Sequence, residues 1–269
     1  MVDLHHLSHS SVESYARCGE AFRLQKVEKI GGEPSWALIG GSAVHLVTET
    51  LDFADFGIDT GGPTTFAEGL EVGLAEQAQR GWAEEHIRTT GRKSKEWPNA
   101  RDKDYWIKVG QGHVDRWRNY LTKGMDIAVI NGRPAIEIEF LVEFDAADGG
   151  KVPFLGYIDR ILESPQYGAG VVDLKSGASI PESQQQLREY ALSLQVLQSD
   201  LDIQWAAYYM TDEKHAGMTA PVDLTSKTPA QVTGPILTAW RGIQNDLFMP
   251  NIGRHCGSCF VRHFCQFAN

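Results

Sequence analysis

Val171-Val172-Asp173-Leu174-Lys175 is an apolar run into which an acid and a lysine have been set two positions apart. Strand side chains alternate with period two, so Asp173 and Lys175 share one face while Val172 and Leu174 share the other. Upstream, Gly156-Tyr157-Ile158-Asp159-Arg160 sets a second acid into another apolar run. If the two runs are neighbouring strands, Asp159 joins Asp173 and Lys175. Two carboxylates beside one ammonium make a site for a hard divalent cation and an activated water, the set that phosphodiester hydrolysis needs. The bland alternative is a buried Asp–Lys ion pair plus one surface aspartate, because isolated D-x-K triplets are common.

Working outward, Ile136, Ile138, Phe140 and Val142 alternate with Glu137, Glu139, Leu141 and Glu143, which predicts a strand over 136–143. Two more are expected over 154–162 and 170–174, the first entered after a turn at Asp148-Gly149-Gly150, and another over 203–210. Helical patterns cover about 11–27, 41–51, 66–87, 103–122, 182–198 and 229–247. Ser10 and Glu13 resemble a capping box for the first of these, which would carry Cys18. Helices, three strands, a helix, a strand and a helix imply a mixed α/β core, not a bundle or a barrel.

The 269 residues carry 35 acidic and 25 basic side chains, a formal net charge of -10, and are 42% hydrophobic and 22% charged. These values fit one large or two small globular domains. No apolar run approaches the roughly 20 residues of a membrane-spanning helix, and Met1 to Ser10 lacks a signal-peptide stretch, so a cytoplasmic protein with no membrane partner is expected. Net charge hides a division. Between His45 and Ile87 nine acids face only Arg80, whereas Arg92, Lys93, Lys95, Arg101, Lys103, Lys108, Arg116, Arg118 and Lys123 outnumber the acids of 91–125.

Of the four cysteines, Cys256, Cys259 and Cys265 fall within the last fourteen positions and Cys18 lies near the start. Thiols of a cytosolic protein stay reduced, and a C-x2-C-x5-C cluster there more often binds metal than forms disulfides. Four thiolates suit a structural zinc or an iron-sulfur cluster, and spacing does not choose between them; His255 or His263 could replace one thiolate around zinc.

Six blocks together resemble the PD-(D/E)XK nucleases, in the RecB-like branch that carries an iron-sulfur cluster and includes CRISPR-associated RecB-like exonucleases and AddB-type repair nucleases. They are Leu7-Ser8-His9-Ser10-Ser11 leading to Cys18, Gly41-x3-His45-x3-Glu49, Gly156-Tyr157-Ile158-Asp159-Arg160, Asp173-Leu174-Lys175-Ser176-Gly177, Gln186-x3-Tyr190 and Cys256-x2-Cys259-x5-Cys265. The resemblance implies a restriction-endonuclease-like mixed central sheet flanked by helices. It implies a core over 41–211 with a helical insertion at about 58–130, an N-terminal helical segment 1–40 giving one cluster cysteine, and a C-terminal helix and three-cysteine segment over 212–269. It further implies that His45, Asp159, Asp173 and the main-chain carbonyl of Leu174 hold magnesium or manganese and that Lys175 is catalytic. Gln186 and Tyr190 would position DNA, and a 4Fe-4S cluster on Cys18, Cys256, Cys259 and Cys265 would staple the ends together.

The expected activity is metal-dependent DNA hydrolysis, as an exonuclease on single-stranded DNA or DNA ends, in recombination, repair, phage or CRISPR-related processing. A homo-oligomer, or a helicase or recombination partner that unwinds DNA, is compatible with it. The basic segment then gains meaning as a DNA track, with Lys103 and Lys108 as contacts and Trp97, Tyr105, Trp106 and Trp117 as stacking surfaces. The competing class is a non-catalytic scaffold, stapled by structural zinc, that binds DNA or protein without cutting.

Overall fold

The computed structural model describes residues 4–121, 124–197 and 202–268. Ser8 caps the first helix, accepting a hydrogen bond from Ser11 N, so α1 (His9–Arg17) starts two residues before the expected Ser10 box. Cys18 is extended and interrupts the expected long helix, which resumes as α2 (Gly19–Phe22) and a π-helical turn Arg23–Val27. Cys18 joins the two pieces, donating to Ser14 O at 3.0 Å and accepting from Phe22 N at 3.1 Å. Ser35 caps α3 (Trp36–Asp55), which runs straight through Gly40 and Gly41. Those glycines were expected to bound a helix, but contacts explain them: a Cβ on Gly40 would meet the Trp106 ring at 2.2 Å, and one on Gly41 would meet Ser176 Oγ at 2.9 Å.

A capping box of Thr65 and Glu68 opens α4 (Phe66–Gln79), and α5 (Lys103–Leu121) follows a long connection. The expected helix over 66–87 therefore stops early, and only a short 3-10 turn, Glu84–His86, follows. Three two-residue strands escaped the sequence reading, β1 (Asp126–Ile127), β2 (Val129–Ile130) and β3 (Arg133–Pro134). Then come β4 (Ile136–Asp145), β5 (Lys151–Ser164), β6 (Gly168–Lys175), α6 (Gln185–Leu197) and β7 (Ile203–Met210). A short β8 (Gly217–Met218) and α7 (Pro229–Gln244) complete the order. Thr122 and Gln198, expected helix ends, lie outside the described residues.

β5 is the hub of a six-stranded mixed sheet: it pairs antiparallel with β4, with β1 and with β6, while β6 pairs parallel with β7 and β7 antiparallel with β8. Gly149, at φ +83°, makes the β4–β5 turn, and Leu7 extends the sheet by bonding to Pro153 and Leu155. One face buries Phe140, Phe154, Ile161 and Val171 against Leu187 and Leu194 of α6 and Ile243 of α7. The other buries Leu162, Val172, Leu174 and Tyr209 against Trp117 of α5. α3, α4 and α5 share a further core around Ile39, Val47, Phe66, Leu70 and Trp106. Among the described residues no helix is long and apolar enough to cross a membrane.

A buried polar junction locks α3 and α5 to the sheet. Asp52 is fully buried and accepts hydrogen bonds from Arg160 Nε at 2.7 Å, Trp117 Nε1 at 2.8 Å and Arg118 Nη1 at 2.8 Å. Arg160, itself buried, also reaches Glu137 Oε1 at 3.2 Å. A buried charge left without its partner is strongly destabilising. Asp52→Ala is therefore expected to cost about 3–5 kcal/mol in urea unfolding, the range for breaking a buried pair; a loss below about 1 kcal/mol, the scale of a surface pair, would contradict this role.

Candidate active site

On α3, His45, Glu49 and Asp52 recur at helical spacing, so the face anchored by Asp52 also turns His45 and Glu49 toward the sheet. The antiparallel register that pairs Arg160 with Val172 brings Asp159 alongside Asp173. His45 Nδ1 lies 3.6 Å from Asp159 Oδ2, and that oxygen also accepts the Leu174 amide at 2.6 Å. Lys175 Nζ lies 2.7 Å from Asp173 Oδ2. That ion pair is the partner the structure gives this buried oxygen. Of the residues expected from sequence to act together, His45, Leu174 and Lys175 line one recess of about 460 Å³ between α3 and the β6 end, and Asp159 and Asp173, both buried, contact these lining residues.

Glu137 completes the group and was missed. Its ligand atom and those of His45 and Asp159 all lie within 4.8 Å of one another. Period two assigned Glu137 to the solvent face, but its φ of +47° breaks the alternation and β4 skips it in the pairing with β5. That conformation is costly for a non-glycine residue and marks a position held by its surroundings. Burial, then the Asp159 carboxylate, pushes Glu137 up to about 7; burial also pushes Asp173 up to about 6, with Lys175 opposing and Asp159 adding to the rise. Burial raises Glu49 as well. Carboxylates crowded and dried in this way favour a cation among them.

Around Lys175, burial works against the charge, but Asp173 and Asp159 outweigh it and hold the ammonium above its ordinary range. Lys175 Nζ donates to Gln186 Oε1 at 3.1 Å, and Gln186 Nε2 donates to the Tyr190 hydroxyl at 3.0 Å. Burial pushes the Tyr190 phenol up. One turn along α6, fully buried Glu189 holds His9 Nδ1 at 2.7 Å and Gln185 Nε2 at 3.0 Å, which ties α1 to α6.

The model of the PD-(D/E)XK nuclease superfamily matches residues 6–266. The chain belongs to this superfamily. Two phage proteins are similar to this PD-(D/E)XK chain along nearly its whole length. The Gene 69 protein of Mycobacterium phage L5 is 28% identical, over 95% of this chain and 94% of the relative, and that of phage D29 is 26% identical over the same shares. A crystal structure of a candidate exonuclease from Eubacterium rectale has a TM-score of 0.50 at 14% identity, covering 96% of this chain and 87% of that one; the likeness is one of fold.

The four cysteines of this PD-(D/E)XK chain line one cavity of about 250 Å³, beside α1. Ala21, Leu24 and Val261 are buried around it with Ile30 and Phe260 packed alongside. Gly19 permits the closure, because a Cβ there would meet backbone atoms of Phe248 and Met249 at 2.8–2.9 Å. Asn251 N points at Cys18 Sγ at 3.4 Å and Gly253 N at Cys256 Sγ at 3.5 Å. Burial pushes the Cys259 thiol up, a backbone hydrogen bond opposing and the Cys18, Cys265 and Cys256 thiols adding.

In the basic segment, acids stand beside the two lysines expected to contact DNA. Lys103 Nζ pairs with Glu84 at 2.8 Å, and Lys108 Nζ with Glu96 at 3.2 Å while resting 4.8 Å from the Trp97 ring centroid. Trp106, Trp117 and Tyr105 are buried, so the stacking surfaces read into them are core packing; of the four aromatics only Trp97 is partly open. The signal that misled was composition: aromatic residues on an amphipathic helix serve a core as readily as a ligand.

His9 gives the structure a pH signature. Burial lowers its pKa, but Glu13 and Glu189 outweigh burial and raise it to about 9 from an ordinary value of 6.5. A histidine raised in the folded state contributes stability that is complete below pH 6.5 and is lost as pH rises through about 9. Urea unfolding of the wild type is therefore expected to weaken by up to about 3 kcal/mol across this window. His9→Gln should flatten that fall; an unchanged alkaline slope in the variant would remove His9 as its source.

Proposed function

We propose that this chain is a divalent-metal-dependent deoxyribonuclease that hydrolyses phosphodiester bonds as an exonuclease on single-stranded DNA or DNA ends. The observation that carries the reading is the approach of His45, Glu137 and Asp159 to within 4.8 Å of one another at a recess lined by Lys175, whose ammonium pairs with buried Asp173. Superfamily membership supports DNA hydrolysis. The candidate exonuclease from Eubacterium rectale supports the exonuclease choice, and the mycobacteriophage relatives support a phage setting for the DNA processing.

The residues fit a hard cation: carboxylate oxygens from Glu137, Asp159 and Asp173, a His45 nitrogen, and the Leu174 carbonyl as a further donor. Oxygen donors suit magnesium or manganese, and the imidazole tilts the set toward manganese. A bound ion of this kind supplies polarisation of the phosphoryl oxygen and a water of lowered pKa. The chain's own groups orient the reaction. The Leu174 amide and the His45 ring fix the Asp159 carboxylate, and the Asp52–Arg160 junction holds Glu137 in its strained backbone. Asp173 and Gln186 aim the Lys175 ammonium, which orients the attacking water and stabilises charge gathering on the phosphoryl oxygens. Gln186 and Tyr190 act on DNA through Lys175, as the hydrogen-bond chain between them suggests.

A 4Fe-4S cluster on Cys18, Cys256, Cys259 and Cys265 belongs to the same reading. The shared apolar cavity and the two amides aimed at sulfur support a thiolate-held group there, and the resemblance favours iron-sulfur over zinc. Its role is structural, closing the long loop between Cys18 and the tail. A helicase or recombination partner, and a homo-oligomer, are expectations of the resemblance.

On end-labelled single-stranded DNA, cluster-containing protein is expected to release product with magnesium or manganese and to stop with chelator. Asp173→Ala, Lys175→Ala and Glu137→Gln should each lower the rate by about 100-fold or more, the scale of a lost electrostatic group. Full activity in any of the three removes that residue, and chelator-resistant or absent cleavage in the wild type favours the binding scaffold. Protein isolated without oxygen should contain iron and absorb in the visible, and Cys259→Ser should lose both and melt lower. Zinc in a colourless wild type would overturn the cluster.

A further inference from the structure

A cleft of about 1220 Å³ opens beside the metal recess, walled by α5, by the loop 90–101 and by residues 212–214. Ser176 and Gly177 line the recess while Ala178 and Ser179 line the cleft, so consecutive residues of the loop after β6 form a shared rim. The geometry points to this cleft, and not to Lys103, as the track that feeds a single polynucleotide strand to the recess. The inference rests on the nuclease reading of that recess for the strand's destination.

Charge is the first argument. Arg92, Arg101, Lys108, Arg116 and Lys214 line the cleft against Glu96, Asp212 and Glu213, which leaves a cationic excess on a chain whose net charge is -10. Each of the three acids already faces a cation: Glu96 meets Lys108, Asp212 meets Arg101 at 3.2 Å, and Glu213 meets Arg116 at 3.8 Å. Arg92 and Lys214 are exposed and have no ion-pair partner among the described residues. Two unengaged cations from two separate segments of the lining suit an anionic chain whose phosphates run along the cleft. Lys103, by contrast, is engaged by both oxygens of Glu84 and lines a different surface.

Shape and stiffness argue for one strand. Asp159 and Asp173 are only 8% and 3% exposed, so a phosphodiester must bend down into the recess to reach them. A duplex resists bending over a persistence length of about 150 base pairs, whereas a single strand turns freely at each nucleotide. Trp97, partly open on the cleft wall with Lys108 beside its ring, offers an aromatic surface against which an unpaired base could stack. The lining does not read the sugar, so DNA and RNA strands share the chemistry that it recognises.

The test measures binding by full-length, cluster-containing protein, with calcium replacing the catalytic ion. The probes are fluorescent deoxythymidine and uridine oligonucleotides about 20 nucleotides long, near the upper site sizes of single-strand binders, and a matched duplex. The combined variant Arg92→Ala with Lys214→Ala is expected to lose about tenfold in affinity for the deoxythymidine strand at physiological salt, and the slope of log K against log salt should fall by about 1.4, the value for two lost phosphate contacts. Arg92→Lys with Lys214→Arg should retain binding, which separates charge from fold. Wild-type affinity and slope in the alanine variant would overturn the cleft, and an equal loss on duplex would overturn the single-strand assignment. A matching loss on the uridine strand extends the track to RNA; retained uridine binding confines it to DNA. Wild-type hydrolysis of bis(p-nitrophenyl) phosphate with manganese reports on the recess by itself. If it is absent, the nuclease reading fails while the affinity comparison still decides the cleft.

Discussion

Carboxylates buried within a few ångströms of one another repel, and each also loses its hydration. Glu137, Asp159 and Asp173 stand in that position, with Glu49 near enough to feel the Asp159 charge. The protein's own cations offset part of this: Arg160 beneath and Lys175 beside Asp173. A divalent cation at this point relieves repulsion that the fold otherwise carries as a cost, and the surrounding architecture can be understood as what holds the acids there.

Asp52 shows how the parts cooperate. It sits on the same face of α3 as His45 and binds Arg160 of β5 and Trp117 of α5, so the helix that supplies the imidazole, the strand that supplies Asp159 and the inserted helix share one buried junction. The insertion is thus continuous with the sheet core on one side, through Trp117, and walls the cationic cleft on the other, through Lys108 and Arg116. On the opposite face, His9 and Glu189 join α1 to α6, and α6 carries the Gln186 that contacts Lys175. α1 also borders the cysteine cavity, so the tail and the recess are separated by a single helix.

Period two made β4 legible, and apolar runs made β5, β6 and β7 legible; residues 203–210 form β7 as expected. Asp173 with Lys175 was legible as a strand face and His45 through the resemblance, whereas the role of Asp52 was not. Glu137 was not, because its left-handed φ is imposed by Arg160 and the sheet around it and leaves no mark in local sequence. The helix break at Cys18 likewise depends on packing against the tail at residues 248–249, remote in the chain. Composition counts charges without their partners, so the pairing of Lys103 with Glu84 and of Lys108 with Glu96 was not legible.

Manganese anomalous diffraction from crystals of the wild-type protein tests the central claim most directly, since it locates the cation without reference to activity. The account predicts one peak bonded to His45, Glu137 and Asp159, with Asp173 and the Leu174 carbonyl at its edge and metal–oxygen distances of about 2.0–2.2 Å. A crystal saturated with manganese that shows no peak between these residues, or shows its peak elsewhere, would contradict it.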